Sequence, residues 1–129
     1  MGSEMWIRDR VEVLPTHLTA NSAYEAICAY LDAGHLPNGI VAATDVIAMS
    51  ALRALSERGI AVPERVKVTG YDDLGFASHT SPPLTTVRQD IEQSAKHLVE
   101  NLFRRIAGEP TESVVLSPRL VIRESTGGI

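Results

Sequence analysis

Two adjacent carboxylates, Asp72 and Asp73, follow Gly70 and Tyr71 at the end of a short β-branched run, Val66-Lys67-Val68-Thr69. A strand that stops there carries acidic side chains to the carboxyl edge of a sheet, the edge where ligands bind in open α/β sheets. Thr44-Asp45 closes a second apolar run, residues 39–43, in the same way. Neighbouring parallel strands lie about 5 Å apart, so the two sets can converge on one small polyhydroxylated molecule. Carboxylates accept from hydroxyls, and charge-assisted hydrogen bonds are the stronger kind. Asp72 and Asp73 also suit a turn that binds nothing, since Asp is common in turns. Tyr71 offers either an aromatic face or a core-packing ring. Gln89 offers a ligand donor or acceptor, or a cap at a helix entry.

Other chemistries are poorly supplied. Asp72 and Asp73 invite acid/base work, but adjacent strand residues point to opposite faces, so they would not act on one substrate atom. His17, His35, His79 and His97 are scattered, and Cys28 is the one cysteine, so no metal cluster is expected. There is no phosphate loop and no Gly-x-Gly-x-x-Gly, and no Gly-x-Ser-x-Gly elbow. No cofactor is expected. The net charge of −4 does not match nucleic acid, and the Arg104-Arg105 pair is too short to make a basic stripe. No apolar run approaches the roughly 20 residues of a membrane span, and no leader with a hydrophobic centre is seen.

The elements that would hold these residues alternate. The 129 residues suit one domain. Residues 1–10 read either as a non-native, adapter-like leader or as a genuine strand anchored by Trp6. Residues 11–14 form a strand candidate stopped by Pro15. Asn21 or Ser22 can cap a helix over 22–33, in which Tyr24, Ile27, Cys28 and Leu31 share one face. Cys28 there reads as a small buried hydrophobe, and Gly34 ends the helix. The run 39–43 suits a strand covered on both faces. A helix over 46–58 follows, with Ala48, Ala51, Leu52 and Leu55 as its apolar stripe. Strands at 66–69 and 84–87 flank the central loop. Asp90 and Gln93 make a capping-box pattern before a third helix, 91–107, with Ile91, Ala95, Leu98, Leu102 and Ile106 on its buried face. Residues 113–116 and 120–123 are further strand candidates. Strands alternating with helices over short links point to an α/β fold, a three-layer parallel sheet with flanking helices.

Taken together, these segments are specific. Ala43-Thr44-Asp45, Arg58-Gly59-Ile60-Ala61-Val62-Pro63, Val68-Thr69-Gly70-Tyr71-Asp72-Asp73, Pro82-Pro83-Leu84-Thr85-Thr86-Val87-Arg88-Gln89 and the closing Arg119-Leu120-Val121-Ile122-Arg123-Glu124-Ser125-Thr126-Gly127 resemble the LacI/GalR transcriptional regulators, in order and spacing, over about residues 11–127. The resemblance implies half of a periplasmic-binding-protein-like (type I) effector-binding domain. It implies a cytoplasmic, non-enzymatic regulator that senses a small sugar or nucleoside-like molecule. Asp72 becomes the leading ligand contact, and Thr44 sits where many members place a polar contact, with Asp45 its usual neighbour. Leu18, a further candidate ligand contact, and Ile91 fall near positions that are aromatic in some relatives, so a stacking group is missing at both.

The resemblance also implies that a DNA-binding headpiece, the N-terminal subdomain and one strand–helix unit lie outside this chain. Residues 11–129 would then be a partial effector-binding domain. The helix at 91–107 belongs to the absent subdomain in the family, and a homodimer through that orphan helix is expected. The chain itself should make no direct DNA contact. An extracytoplasmic sugar-binding component of a transporter shares the body fold and is the alternative. An enzyme using Asp72 is a third reading.

Overall fold

A computed structural model describes residues 11–128. The first element is helix α1, Ala20–Asp32, and β1 is Gly39–Val41. Helix α2, Asp45–Glu57, and β2, Lys67–Thr69, follow. Beyond a loop with a 3-10 turn at Ala77–His79 come β3, Thr86–Arg88, and the long helix α3, Ile91–Ile106. Strand β4, Arg119–Val121, and a 3-10 turn at Glu124–Thr126 complete the order.

β1 and β2 run parallel, with Ile40 beside Val68. A parallel bridge joins Thr69 to Thr85, one residue before β3. β3 then pairs antiparallel with β4, Val87 opposite Leu120. The chain is thus an α/β fold with a small parallel sheet that passes into an antiparallel ribbon.

Local chemistry explains the helices. Thr19, not Asn21 or Ser22, caps α1, its hydroxyl accepting from Ser22 N; the Ser22 hydroxyl accepts instead from His17 N. Thr44 caps α2 by accepting from Ile47 N. Asp90 caps α3 by accepting from Gln93 N at 3.0 Å. Gly34, Gly59 and Gly108 follow the three helices with positive φ, the left-handed stop that glycine takes most easily.

The core lies between α1, α2 and one sheet face. Ala23, Ile27 and Leu31 of α1 meet Ala48, Ala51, Leu52 and Leu55 of α2, and Val66, Val68 and Leu84 close the layer beneath. Tyr24 and Cys28 pack half-buried at its margin. The alanines let α2 approach both neighbours closely, as their complete burial requires.

Several expectations fail for one physical reason. A strand forms only where a partner satisfies its backbone. Residues 11–14 and 113–116 have no such partner among the described residues; they are irregular, and Val13 and Val115 are exposed. The last strand spans Arg119–Val121 rather than 120–123 because β3 offers it three partners. The run at 39–43 is covered on one face only: Ala42 is buried while Val41 is 90% exposed. The three-layer arrangement is therefore incomplete, since no described helix covers the Val41 face. The expected buried face of α3 is open as well, and α3 contains no buried residue. The leader call on residues 1–10 lies outside the described residues.

Candidate functional site

Backbone hydrogen bonds join the two acidic segments at one rim. Asp45 N donates to Tyr71 O at 2.9 Å, and Asp72 N donates to Val87 O at 2.9 Å. The ends of β1, β2 and β3 therefore stand side by side, with Thr44, Tyr71, Asp72 and Gln89 gathered there. Asp72 is half-buried, and its Oδ1 accepts from Gln89 Nε2 at 3.0 Å. Its Oδ2 has no partner among the described residues. Thr44 is half-buried and its hydroxyl serves the helix cap. Tyr71 is 36% exposed, so its ring is not core packing.

Asp72 holds φ at 109° and Asp73 at 51°, both in the region that side chains with a Cβ rarely occupy. They are therefore turn residues, not strand residues with alternating faces. Asp73 turns to the protein: Arg123 Nη2 donates to its Oδ1 at 2.8 Å, and Arg88 Nε to its Oδ2 at 2.5 Å. Burial pushes its carboxyl up, but the hydrogen bonds from Arg123 and Arg88 outweigh this and hold it below the usual carboxylate range. The double ion pair ties the strained turn to β3 and to the closing segment.

Asp45 corrects the expectation of a ligand contact. It is completely buried. Its Oδ2 accepts from Leu74 N at 2.7 Å and its Oδ1 from the Thr86 hydroxyl at 2.5 Å. Both oxygens are spent on fixing the 72–74 turn and β3, so Asp45 shapes the rim from beneath. Gly70 exists to admit it, because a Cβ at Gly70 would stand 2.2 Å from Asp45 Oδ1. Leu18 is 72% exposed just before the α1 cap, and no described hydrogen bond ties its segment to Asp72.

Sequence reasoning missed the roles of Gly70, Thr86 and Ser125. Ser125 is buried; its hydroxyl donates to Val68 O at 2.6 Å and accepts from Thr85 N at 2.8 Å. It closes the gap between β2 and Thr85 where the ladder is weakest. Arg123 adds Nη1 to Leu84 O at 2.8 Å. The available signal was the Gly before Tyr-Asp-Asp and a serine two residues after an arginine in the last motif. Nothing local says that either reaches back to the sheet. Among the described residues no His/Cys/Asp/Glu group is placed to hold a metal.

A rim at the carboxyl ends of parallel strands is the place where open α/β sheets take their ligands. A family model described as the periplasmic binding protein-like domain matches residues 5–126. The HTH-type transcriptional regulator CelR of Thermobifida fusca is 40% identical over 109 residues, covering 83% of this chain and 32% of that protein. The HTH-type transcriptional repressor PurR of Histophilus somni is 36% identical over 104 residues, 79% of this chain and 31% of that one.

Three solved structures share the fold. A putative LacI-family regulator from Sanguibacter keddieii is 39% identical with a TM-score of 0.82, covering 90% of this chain and 46% of its own. The lac repressor dimer bound to operator and the anti-inducer ONPF is 28% identical with a TM-score of 0.84, covering 95% and 44%. A LacI-family regulator from Arthrobacter sp. FB24 in complex with lactose is 35% identical with a TM-score of 0.78, covering 86% and 42%. The chain belongs to the periplasmic binding protein-like domain family, in the form found in LacI-family transcriptional regulators. It spans about a third of the length of the curated relatives it matches.

Proposed function

We propose that this chain senses a small polyhydroxylated effector, a sugar or a nucleoside-like molecule, for a LacI-type transcriptional regulator, with Asp72 as the principal contact. The observation that carries this is the state of Asp72. Its backbone is held in a costly conformation, Gln89 orients one oxygen, and the other is free at the rim. Strained residues cluster at ligand clamps when the surroundings over-determine them, and here Asp45, Arg88 and Arg123 do so. Thr44, Tyr71 and Gln89 complete the contact set. Asp45 supports it without touching the effector.

The protein acts as a cytoplasmic regulator rather than an enzyme, and the relatives described above, all named as regulators, do not favour a transporter component. Direct DNA contact lies outside this chain. Its self-association is a homodimer through residues 91–107. In a longer protein the exposed Val41 face would receive the third layer.

The test is thermal stability against a panel of sugars and nucleosides. A ligand at 100 times its Kd adds about 2.7 kcal/mol to the folded state. A stabilising compound should lose its effect on Asp72→Ala, whose fold should survive. A compound that stabilises Asp72→Ala as well as the parent would place the site elsewhere, and a panel without any stabilising member would remove the sensing role from this chain.

A further inference from the structure

Asn38 precedes Gly39 at the entry to β1, and no other asparagine or aspartate in the chain is followed by glycine. Asn38 is exposed, and its side-chain amide makes no hydrogen bond among the described residues. Gly39 is exposed as well. The other asparagines are held within helices. The Ser22 amide that follows Asn21 donates to the Thr19 hydroxyl, and Asn101 Nδ2 donates to Glu112 O. One ladder bond reaches Asn38, from Lys67 N to Asn38 O at 3.0 Å. It holds the carbonyl rather than the side chain. It also stands at the end of a strand of 3 residues, and strand ends open at the least cost.

We propose that the Asn38-Gly39 step is a site of spontaneous covalent modification, deamidation through a cyclic imide. The Gly39 nitrogen attacks Asn38 Cγ and gives up its proton. The Cγ–Nδ2 bond breaks, ammonia leaves, and a succinimide ring closes. Water then opens the ring. Cleavage at Cγ yields aspartate on an unchanged main chain. Cleavage at the former main-chain carbonyl yields isoaspartate, in which the main chain runs through the old side chain and is longer by a single carbon. Gly39 has no side chain to obstruct the attack, and its backbone is the freest to turn toward Cγ.

The two products act differently on the fold. The aspartate form keeps the carbonyl that accepts from Lys67 N. In the isoaspartate form that carbonyl becomes a carboxylate outside the main chain, and the added carbon displaces Gly39 from its place beside Lys67. β1 then loses the first of its paired positions with β2. Thr44 and Asp45 lie just beyond the far end of β1. The modification therefore loosens the foot of the strand that leads to the rim, whichever effector the rim takes.

Incubating the purified chain at mildly alkaline pH, followed by peptide mapping with electron-transfer fragmentation, reads each asparagine separately. Position 38 should convert many times faster than Asn21 or Asn101, with both aspartate and isoaspartate found there. Gly39→Ala should slow the conversion many-fold in an intact fold, since its Cβ would stand 3.5 Å from Lys67 O, an ordinary contact. Aged protein rich in isoaspartate should unfold about a few tenths of a molar urea below the fresh parent, the effect of one lost hydrogen bond. Asn38→Asp copies the new charge without the extra carbon and should keep the parent's midpoint. Conversion at position 38 no faster than at Asn21 or Asn101, or equal rates in Gly39→Ala and the parent, overturns the site. An isoaspartate form as stable as Asn38→Asp overturns its effect on β1.

Discussion

Replacing Asp45 with alanine should destabilise the protein by about 3 to 4 kcal/mol and leave it folded but marginal. The carboxylate accepts two hydrogen bonds, from Leu74 N at 2.7 Å and from the Thr86 hydroxyl at 2.5 Å, at a fully buried position. Hydrogen bonds to charged groups are each worth about 1.5 to 3 kcal/mol. Removing a buried carboxylate also recovers part of its desolvation cost, several kcal/mol at most sites, which brings the sum of the two bonds down to the figure given. A domain holds only about 5 to 15 kcal/mol in total. Asp45→Asn should cost only about 1 kcal/mol, since the amide oxygen can still accept from Leu74 N while its NH2 donates to the Thr86 hydroxyl. Asp72→Ala should cost less than about 1 kcal/mol, because its one bond, to Gln89, is exposed. Urea unfolding followed by circular dichroism separates the three. With a slope of about 1 to 3 kcal/mol per molar urea, Asp45→Ala should lower the midpoint by more than 1 M and Asp72→Ala by a few tenths. A midpoint for Asp45→Ala within a few tenths of the parent would refute the lock beneath the rim. Equal losses in the Asp45 and Asp72 variants would refute the division of labour between them.

Two further outcomes follow from the same rim. Gly70→Ala should destabilise by about 1 to 3 kcal/mol, as overpacking does, because its Cβ would collide with the Asp45 carboxylate; combined with Asp45→Ala the two losses should be less than additive, and strict additivity in a double-mutant cycle would contradict the contact. Asp73 has a folded-state pKa held below its unfolded value. Its contribution is thus fully present above the ordinary carboxylate range and is lost as pH falls through the depressed value. The parent's urea midpoint should accordingly drop between about pH 5 and pH 2 more steeply than that of Asp73→Asn, and equal acid slopes would show that the Arg123 and Arg88 pairs add nothing.

The helices were legible because their signals are local. Two threonines, an aspartate and three glycines mark the ends of α1, α2 and α3, and the apolar residues of α1 and α2 recur at helical spacing over one face. The strands were less so. Residues 113–116 and 119–121 are both short and rich in aliphatic side chains, yet only the second lies opposite β3. The stripe on α3 was visible as a stripe, but periodicity says only that a face wants burial, not whether this chain supplies the cover.

The candidate site divides in the same way. Asp72 and Asp45 are both carboxylates at the end of an apolar run, and no rule of spacing tells them apart. One is a rim group with a free oxygen and the other a buried lock, because β3 brings the Thr86 hydroxyl under Asp45 from 41 residues away. Likewise Asp73 is withdrawn from the rim by Arg123, 50 residues along the chain. By itself, then, the order of residues determined where the backbone turns, which faces are apolar and which segments end in acids, since these depend on neighbours within a few positions. Which acid faces outward was decided only when distant donors met it, because a carboxylate's role depends on what satisfies it.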